Sequence, residues 1–256
     1  MLIVFGLLKH HVSMVTRDTL MNDKSLPTKP SNNSDISEFL RKVAATPSVK
    51  AAHQRGRLIF AMDATASRAP TWDRACHIQA NMFKETAALG GLDIQLVYYR
   101  GHHEFSASEF HSNTDDLSRS MASVACMGGM TQIEKVLQQA LHETTQRKVH
   151  ALVFVGDCME EDAETLFILA GKLGVVGLPV FIFHEGDDAL AAQTFEHIAT
   201  LSHGAYCHFD SNSAQQLHDL LSAVAIYAAG GRRALEQFAQ QKNIVRQVIL
   251  QLPKQS

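Results

Sequence analysis

Between residues 57 and 209 the chain alternates short, almost unbroken apolar runs with longer segments whose apolar residues recur every three or four positions. Runs of the first kind are the mark of strands buried on both faces, and segments of the second kind are helices that bury one face. Their alternation predicts repeated βα units around a mostly parallel sheet. The runs place strands over 57–63, 93–100, 149–156, 178–184 and 204–209, with a weaker stretch over 102–110 read as an antiparallel edge. Helices fit 71–89, 115–125, 131–145, 162–173, 189–201 and 213–227. Gly90-Gly91, Gly128-Gly129, Gly174, Gly204 and Gly230-Gly231 fall at the joins, where helices stop and the chain turns. The expected fold class is α/β, a doubly wound, mostly parallel sheet flanked by helices on both faces.

The flanks read differently. Residues 25–35 are polar and proline-bearing, so 1–34 is expected to be a disordered tail and linker. Asp35 followed by Glu38 resembles a capping box, and Ile36, Phe39, Leu40 and Val43 then share one helical face up to Pro47, which predicts an N-terminal helix within 35–56. Residues 57–229 form the main domain, and 230–256 a C-terminal helix and tail. There Leu235, Phe238, Lys242, Val245, Ile249 and Leu252 alternate three and four residues apart, as a coiled-coil seam does. A helix docked on its own domain is the first reading and a partner-binding helix the alternative. Met1 to Leu8 are apolar but lack a basic leader and a small-residue cleavage site, so no signal peptide is expected, and Met14 or Met21 is an alternative start. No apolar run approaches the roughly 18 residues of a membrane span, and no membrane association is expected.

With 256 residues, 46% hydrophobic and 19% charged, the chain is long enough for a sizeable core and too apolar for global disorder. Lys and Arg number 23 against 26 Asp and Glu, so the charge recommends no nucleic-acid partner. The 14 histidines are scattered, without an H-E-x-x-H pair. Cys76, Cys126, Cys158 and Cys207 form no C-x-x-C pair, which argues against structural zinc and fits reduced thiols in a cytoplasmic protein. A G-x-x-x-x-G-K-[ST] phosphate loop is absent from the sequence, so the chain is not itself an ATPase of that type.

The chemistry concentrates in three places. Leu58-Ile59-Phe60-Ala61-Met62 runs into Asp63, after which Thr65 and Ser67 supply hydroxyls at alternate positions. Open α/β sheets bind ligands beyond the carboxyl ends of their strands, and carboxylate plus hydroxyl oxygens suit a hard divalent cation such as Mg2+, with Mn2+ also suited. Cys126-Met127-Gly128-Gly129-Met130 is a glycine turn leading to Thr131 at the start of a helix. Ala151-Leu152-Val153-Phe154-Val155-Gly156 is a second buried strand ending on Asp157. Taken singly, Thr131 and Asp157 read equally well as helix caps.

Together these segments resemble the von Willebrand factor A family, whose metal-ion-dependent adhesion site combines an Asp-x-Ser-x-Ser loop with a distant Thr and a distant Asp. The loop falls on Asp63, Thr65 and Ser67, the threonine on Thr131 and the second aspartate on Asp157. The resemblance covers roughly 57–229, and the stretch from Ile198 to Tyr206 looks like the family's last helix-to-strand turn. It implies a Rossmann-like fold, a Mg2+ site formed by these five residues, and a non-enzymatic module that engages an acidic group of a protein partner. Intracellular members often work alongside AAA-type ATPases, so the resemblance makes such an ATPase the first partner to consider. Two positions depart from the pattern: Thr65 replaces a serine, and Cys158 stands after Asp157 where the family usually has glycine. If that backbone needs φ > 0, the cysteine would be strained.

Other readings remain open. The site is vestigial in one of them, and the domain only scaffolds. In another the chain is a haloacid-dehalogenase-like phosphohydrolase, although Asp63-x-Thr65 lacks the second acid of that Asp-x-Asp motif. Trp72 and Asp73 read as surface packing and a favourable charge at a helix start, and Tyr98 to Glu104 as a strand end and turn. Glu160-Glu161-Asp162 reads as the start of a helix that also raises the negative potential near Asp157.

Overall fold

Each predicted apolar run forms a strand, and the residues that alternate along it divide between two cores. The computed structural model of the chain describes residues 33–46, 55–69, 91–209 and 214–241. The strands are β1 (Gly56–Asp63), β2 (Leu92–Arg100), β3 (Glu104–His111), β4 (Ala151–Gly156), β5 (Val180–Glu185) and β6 (Ala205–Phe209), in the order β3-β2-β1-β4-β5-β6. All neighbouring pairs are parallel except β2 and β3, so the weak stretch near 102–110 is indeed the antiparallel edge. The predicted helix over 71–89, the tail up to residue 32, Trp72, Asp73, and the seam positions Lys242, Val245, Ile249 and Leu252 lie outside the described residues.

Every residue of β1 is buried, as an unbroken apolar run demands. Leu58, Phe60 and Met62 join one core, which they share with α1 (Asn33–Ala45), α2 (Thr114–Ala122) and α6 (Ala214–Gln241). Ile59 and Ala61 join the other, under α3 (Ile133–Gln146), α4 (Ala163–Val175) and α5 (Ala189–Leu201). The sheet is thus covered on both faces, the doubly wound arrangement that the sequence predicts.

Element ends shift for identifiable reasons. α1 starts at Asn33, so Asp35 lies inside its first turn rather than at a cap. β4 and β5 each begin two residues after the predicted 149 and 178: the His150 amide donates outside the ladder to the Arg57 carbonyl (2.8 Å), and Pro179 has no amide to donate. α3 starts at Ile133 rather than at 131, because the Thr131 amide is given to a side chain described below. α6 continues past the glycine pair to Gln241, interrupted at Gly231 (φ 68°, ψ −167°), a conformation that a Cβ would strain. Beyond that break Leu235 is fully buried and Phe238 packs on the same core as α1, so the described part of the C-terminal seam docks on its own domain.

α1 is equally integral. Phe39 is 1% exposed and sets its ring against Phe181 and Phe183 of β5, at centroid distances of 6.2 and 5.2 Å. Phe39→Ala is expected to cost about 3 kcal/mol, the usual scale for emptying an aromatic site in a core. Urea unfolding should show a lower midpoint with an unchanged slope, since α1 would then unfold with the domain and not before it.

Candidate functional site

The chain runs from β1 to β2 on one side and later returns to lay β4 on the other, which makes the β1/β4 boundary the topological switch point of the sheet. Strand ends diverge there and leave a crevice at their carboxyl edges. Asp63 closes β1, and Asp157 follows the last residue of β4. The sheet therefore brings the two carboxylates together, with one oxygen of each and the Cys158 sulfur all within 4.8 Å of one another.

Asp63 is 0% exposed. One carboxylate oxygen accepts the Thr65 amide (2.7 Å), which turns the chain back over the strand end, and the other accepts the Tyr99 hydroxyl (3.1 Å) from the paired position on β2. The Thr65 and Ser67 hydroxyls lie 3.0 Å apart at the start of a 3-10 turn, Ala66–Arg68. Burial raises the Asp63 carboxyl from its usual 3.8 to about 6, against the lowering effect of the Thr65 hydrogen bonds, and the Asp157 charge adds to the rise. Two carboxylates at this separation repel by roughly 3–4 kcal/mol at an effective dielectric constant of about 20. The pair therefore calls for a proton or a cation.

Cys158 does not meet that need. Burial, with Asp157 and Asp63 close by, pushes its thiol up to about 12, so it stays protonated at neutral pH and is a poor ligand for a hard cation. The strain anticipated at this position is absent, since His203 is the only non-glycine residue at positive φ among the described residues.

Arg68 is the residue that sequence reasoning missed. It follows the exposed Ser67 yet is 2% exposed, and its guanidinium pairs with Glu185 at the end of β5. It also lies within electrostatic range of Asp157 and Asp63. No pattern in the sequence marks it, because a single arginine after a loop reads as a surface residue.

Thr131 is placed through the β4–α4 loop. Its amide donates to the Glu160 carboxylate (3.1 Å) and its hydroxyl accepts from the Glu160 amide (3.1 Å). Thr131 is therefore not the cap of α3, as its sequence position allowed. That task falls to Glu161, whose two oxygens accept the Ile133 and Glu134 amides (2.6 and 2.8 Å). Asp162 caps its own helix by accepting the Thr165 amide (2.9 Å). The acidic run is thus hydrogen-bonded to helix ends and to Thr131, while the charges of Glu160 and Glu161 are still felt at Cys158 and Tyr99. On the other flank the fully buried His184 meets the Asp157 carbonyl through Nε2 (3.2 Å) and the Tyr206 hydroxyl through Nδ1 (2.9 Å), tying the loop after β4 to β5 and β6.

A loop of small residues closes the rim. The Met127 amide donates to the Ala64 carbonyl (3.0 Å) and the Met130 amide to the Gly101 carbonyl (3.1 Å), and a Cβ on Gly129 would run into that same Gly101 carbonyl. Met127 and Met130 stand exposed beside the strand ends. A cavity of about 380 Å³ lies at the opposite, amino-terminal end of β6, lined by Lys42, Thr46, Glu196 and His203 among others, and contains neither aspartate.

The donor set suits a hard divalent cation. Asp63 and Asp157 supply carboxylates, and Thr65 and Ser67 supply hydroxyls linked to Asp63 by the same turn. Asp157 Oδ1 is sealed from solvent and has no hydrogen-bond partner among the described residues, an unmet requirement that a cation would satisfy. Among the described residues Thr131 is hydrogen-bonded to Glu160 and not to Asp63 or Asp157.

Two outcomes follow for the metal-free protein. The folded pKa of Asp63 lies above its unfolded value, so the folded state holds the extra proton; the associated stability is full below about pH 4 and is lost as pH rises through about 6. Asp63→Asn should remove that loss and stabilise the metal-free protein at pH 7.5 by on the order of 2 kcal/mol, measured by urea unfolding across pH 4–8. Glu161→Ala should cost about 1–2 kcal/mol through the lost cap, with cation affinity unchanged in titration calorimetry.

No family model matches the chain, and no curated protein matches its sequence. Solved structures do match in shape. The SpRpn10 VWA domain aligns with a TM-score of 0.54 at 13% identity, over 66% of this chain and 94% of that one. The pilus adhesin SpaC from Lactobacillus rhamnosus GG, in its open conformation, aligns with a TM-score of 0.53 at 11% identity, over 75% of this chain and 31% of the adhesin. Proximal thread matrix protein 1 from the mussel byssus aligns with a TM-score of 0.51 at 17% identity, over 70% of this chain and 46% of that protein. The chain spans less than half of the latter two. At such identities the likeness is one of fold, and with the sheet order and the acids at the switch point it assigns this chain the von Willebrand factor A-type fold.

Proposed function

We propose that the chain is a metal-dependent protein-binding module. Asp63, Thr65, Ser67 and Asp157 hold a Mg2+ ion, or Mn2+, and Thr131, hydrogen-bonded to Glu160 in this structure, joins the set from the α3 side. The observation that carries this reading is a buried Asp157 oxygen without a hydrogen-bond partner among the described residues, on a carboxylate that comes within 4.8 Å of that of the buried Asp63. A cation held by two carboxylates and neutral hydroxyls keeps affinity for a further anionic oxygen, which an acidic side chain of a partner supplies. Exposed Met127 and Met130 on the rim offer apolar contact around such an anchor.

The reading is of a binding module and not of an enzyme. Position 65 carries a hydroxyl where phosphohydrolase chemistry needs a second acid, and the half-buried Cys158 thiol is too basic to serve as a nucleophile at neutral pH. No helix among the described residues is long and apolar enough to cross a membrane. We place the protein in the cytoplasm on its cysteine usage, with an AAA-type ATPase as the first partner to test on the family resemblance.

Affinity capture with the full chain in Mg2+ or in EDTA, followed by identification of the bound proteins, tests this. Capture of a partner in Mg2+ should be lost in EDTA and in Asp63→Ala, with the circular dichroism spectrum of the variant unchanged. A partner retained equally in EDTA contradicts the proposal.

A further inference from the structure

The candidate site contains its own positive charge. Three carboxylates, Asp63, Asp157 and Glu185, converge on the carboxyl ends of β1, β4 and β5, and among the described residues the guanidinium beside them is that of Arg68, which the 3-10 turn Ala66–Arg68 carries inward to 2% exposure. A buried arginine cannot discharge by deprotonating, so it stays charged and must be compensated where it lies. Glu185 supplies the direct pairing, and Asp157 and Asp63 feel the remainder of the charge. The same two aspartates are the carboxylates that a divalent cation would use.

We infer that Arg68 sets the cation affinity of this site, acting as a resident counter-charge that Glu185 holds to one side and that a divalent cation must work against. This inference rests on the metal-binding reading proposed above. The physical basis is that a fixed positive charge near Asp63 and Asp157 lowers the gain from bringing in a second cation, while Glu185 draws that charge away. The site is thereby tuned to weak, reversible occupancy, and Arg68 and Glu185 act on it with opposite sign. Arg68 is a positioning residue in this scheme: it touches neither the partner nor the ion.

The opposite signs make the inference testable. Mn2+ binding by the full-length protein is read by electron paramagnetic resonance of the free ion, with Mg2+ as competitor, and thermal unfolding serves as the fold check. Arg68→Gln should bind Mn2+ about tenfold more tightly than the wild type, and adding Asp63→Asn should abolish that gain. Glu185→Gln should bind about tenfold more weakly, because Arg68 then turns wholly onto the aspartates. Arg68→Lys, which keeps the charge, should stay within about threefold of the wild type. Weaker binding in both Arg68→Gln and Glu185→Gln would mean a merely structural role and overturn the inference. Equal affinity in the wild type and Arg68→Gln overturns it while leaving the metal reading intact. No Mn2+ binding by any of the proteins overturns both.

Discussion

Two carboxylates within 4.8 Å of each other, one wholly buried, are the constraint around which this end of the sheet is organised. The topology forces them together: β1 and β4 are neighbours only because the chain reverses its direction of winding between them, and an acid closes β1 and directly follows β4 at that boundary. Left alone the pair is unfavourable by several kcal/mol, a sizeable part of the stability of a whole domain. The surroundings meet that cost in part. Tyr99 and the Thr65 amide satisfy Asp63, His184 anchors the backbone of Asp157, and Arg68 offsets the charge from the side of β5. One oxygen of Asp157 is left over.

The same logic explains why the neighbouring acids do not belong to the site. Glu160, Glu161 and Asp162 follow Asp157 closely in sequence and by position alone would enlarge the acidic cluster. Each is instead matched to amide groups: Glu160 to Thr131, Glu161 to the first turn of α3, and Asp162 to the first turn of α4. Helix ends neutralise carboxylates with fixed dipoles and so remove them from competition for a cation. Among the described residues the charge at the site is carried by Asp63, Asp157, Glu185 and Arg68, which span three strand ends and a turn, and Glu160 and Glu161 add a negative field from the neighbouring loop.

The sheet and most helices could be read in the sequence because burial on both faces leaves strands no polar positions, as in 58–62 and 151–155, and because the helices between them show one apolar stripe. Asp63 and Asp157 could be read as well, since each interrupts such a run at its end. Thr65 and Ser67 follow from their spacing to Asp63. The cap of α3 could not be read, because Glu161 reaches it across 28 residues and no local rule connects them. Arg68 and Glu185 were missed for the same reason: their pairing is a product of strand order, and neither residue stands out in its own segment. Cys158 carries no backbone strain, because the condition for it, a left-handed turn after β4, is not met in this chain.

The most direct measurement of the central claim is anomalous diffraction above the manganese edge from crystals of the protein equilibrated with Mn2+. The account predicts an anomalous peak between the Asp63 and Asp157 carboxylates, in contact with the oxygen of Asp157 that otherwise lacks a partner. A well-ordered site without such a peak, with the Arg68 guanidinium bonded to both aspartates in its place, would contradict it.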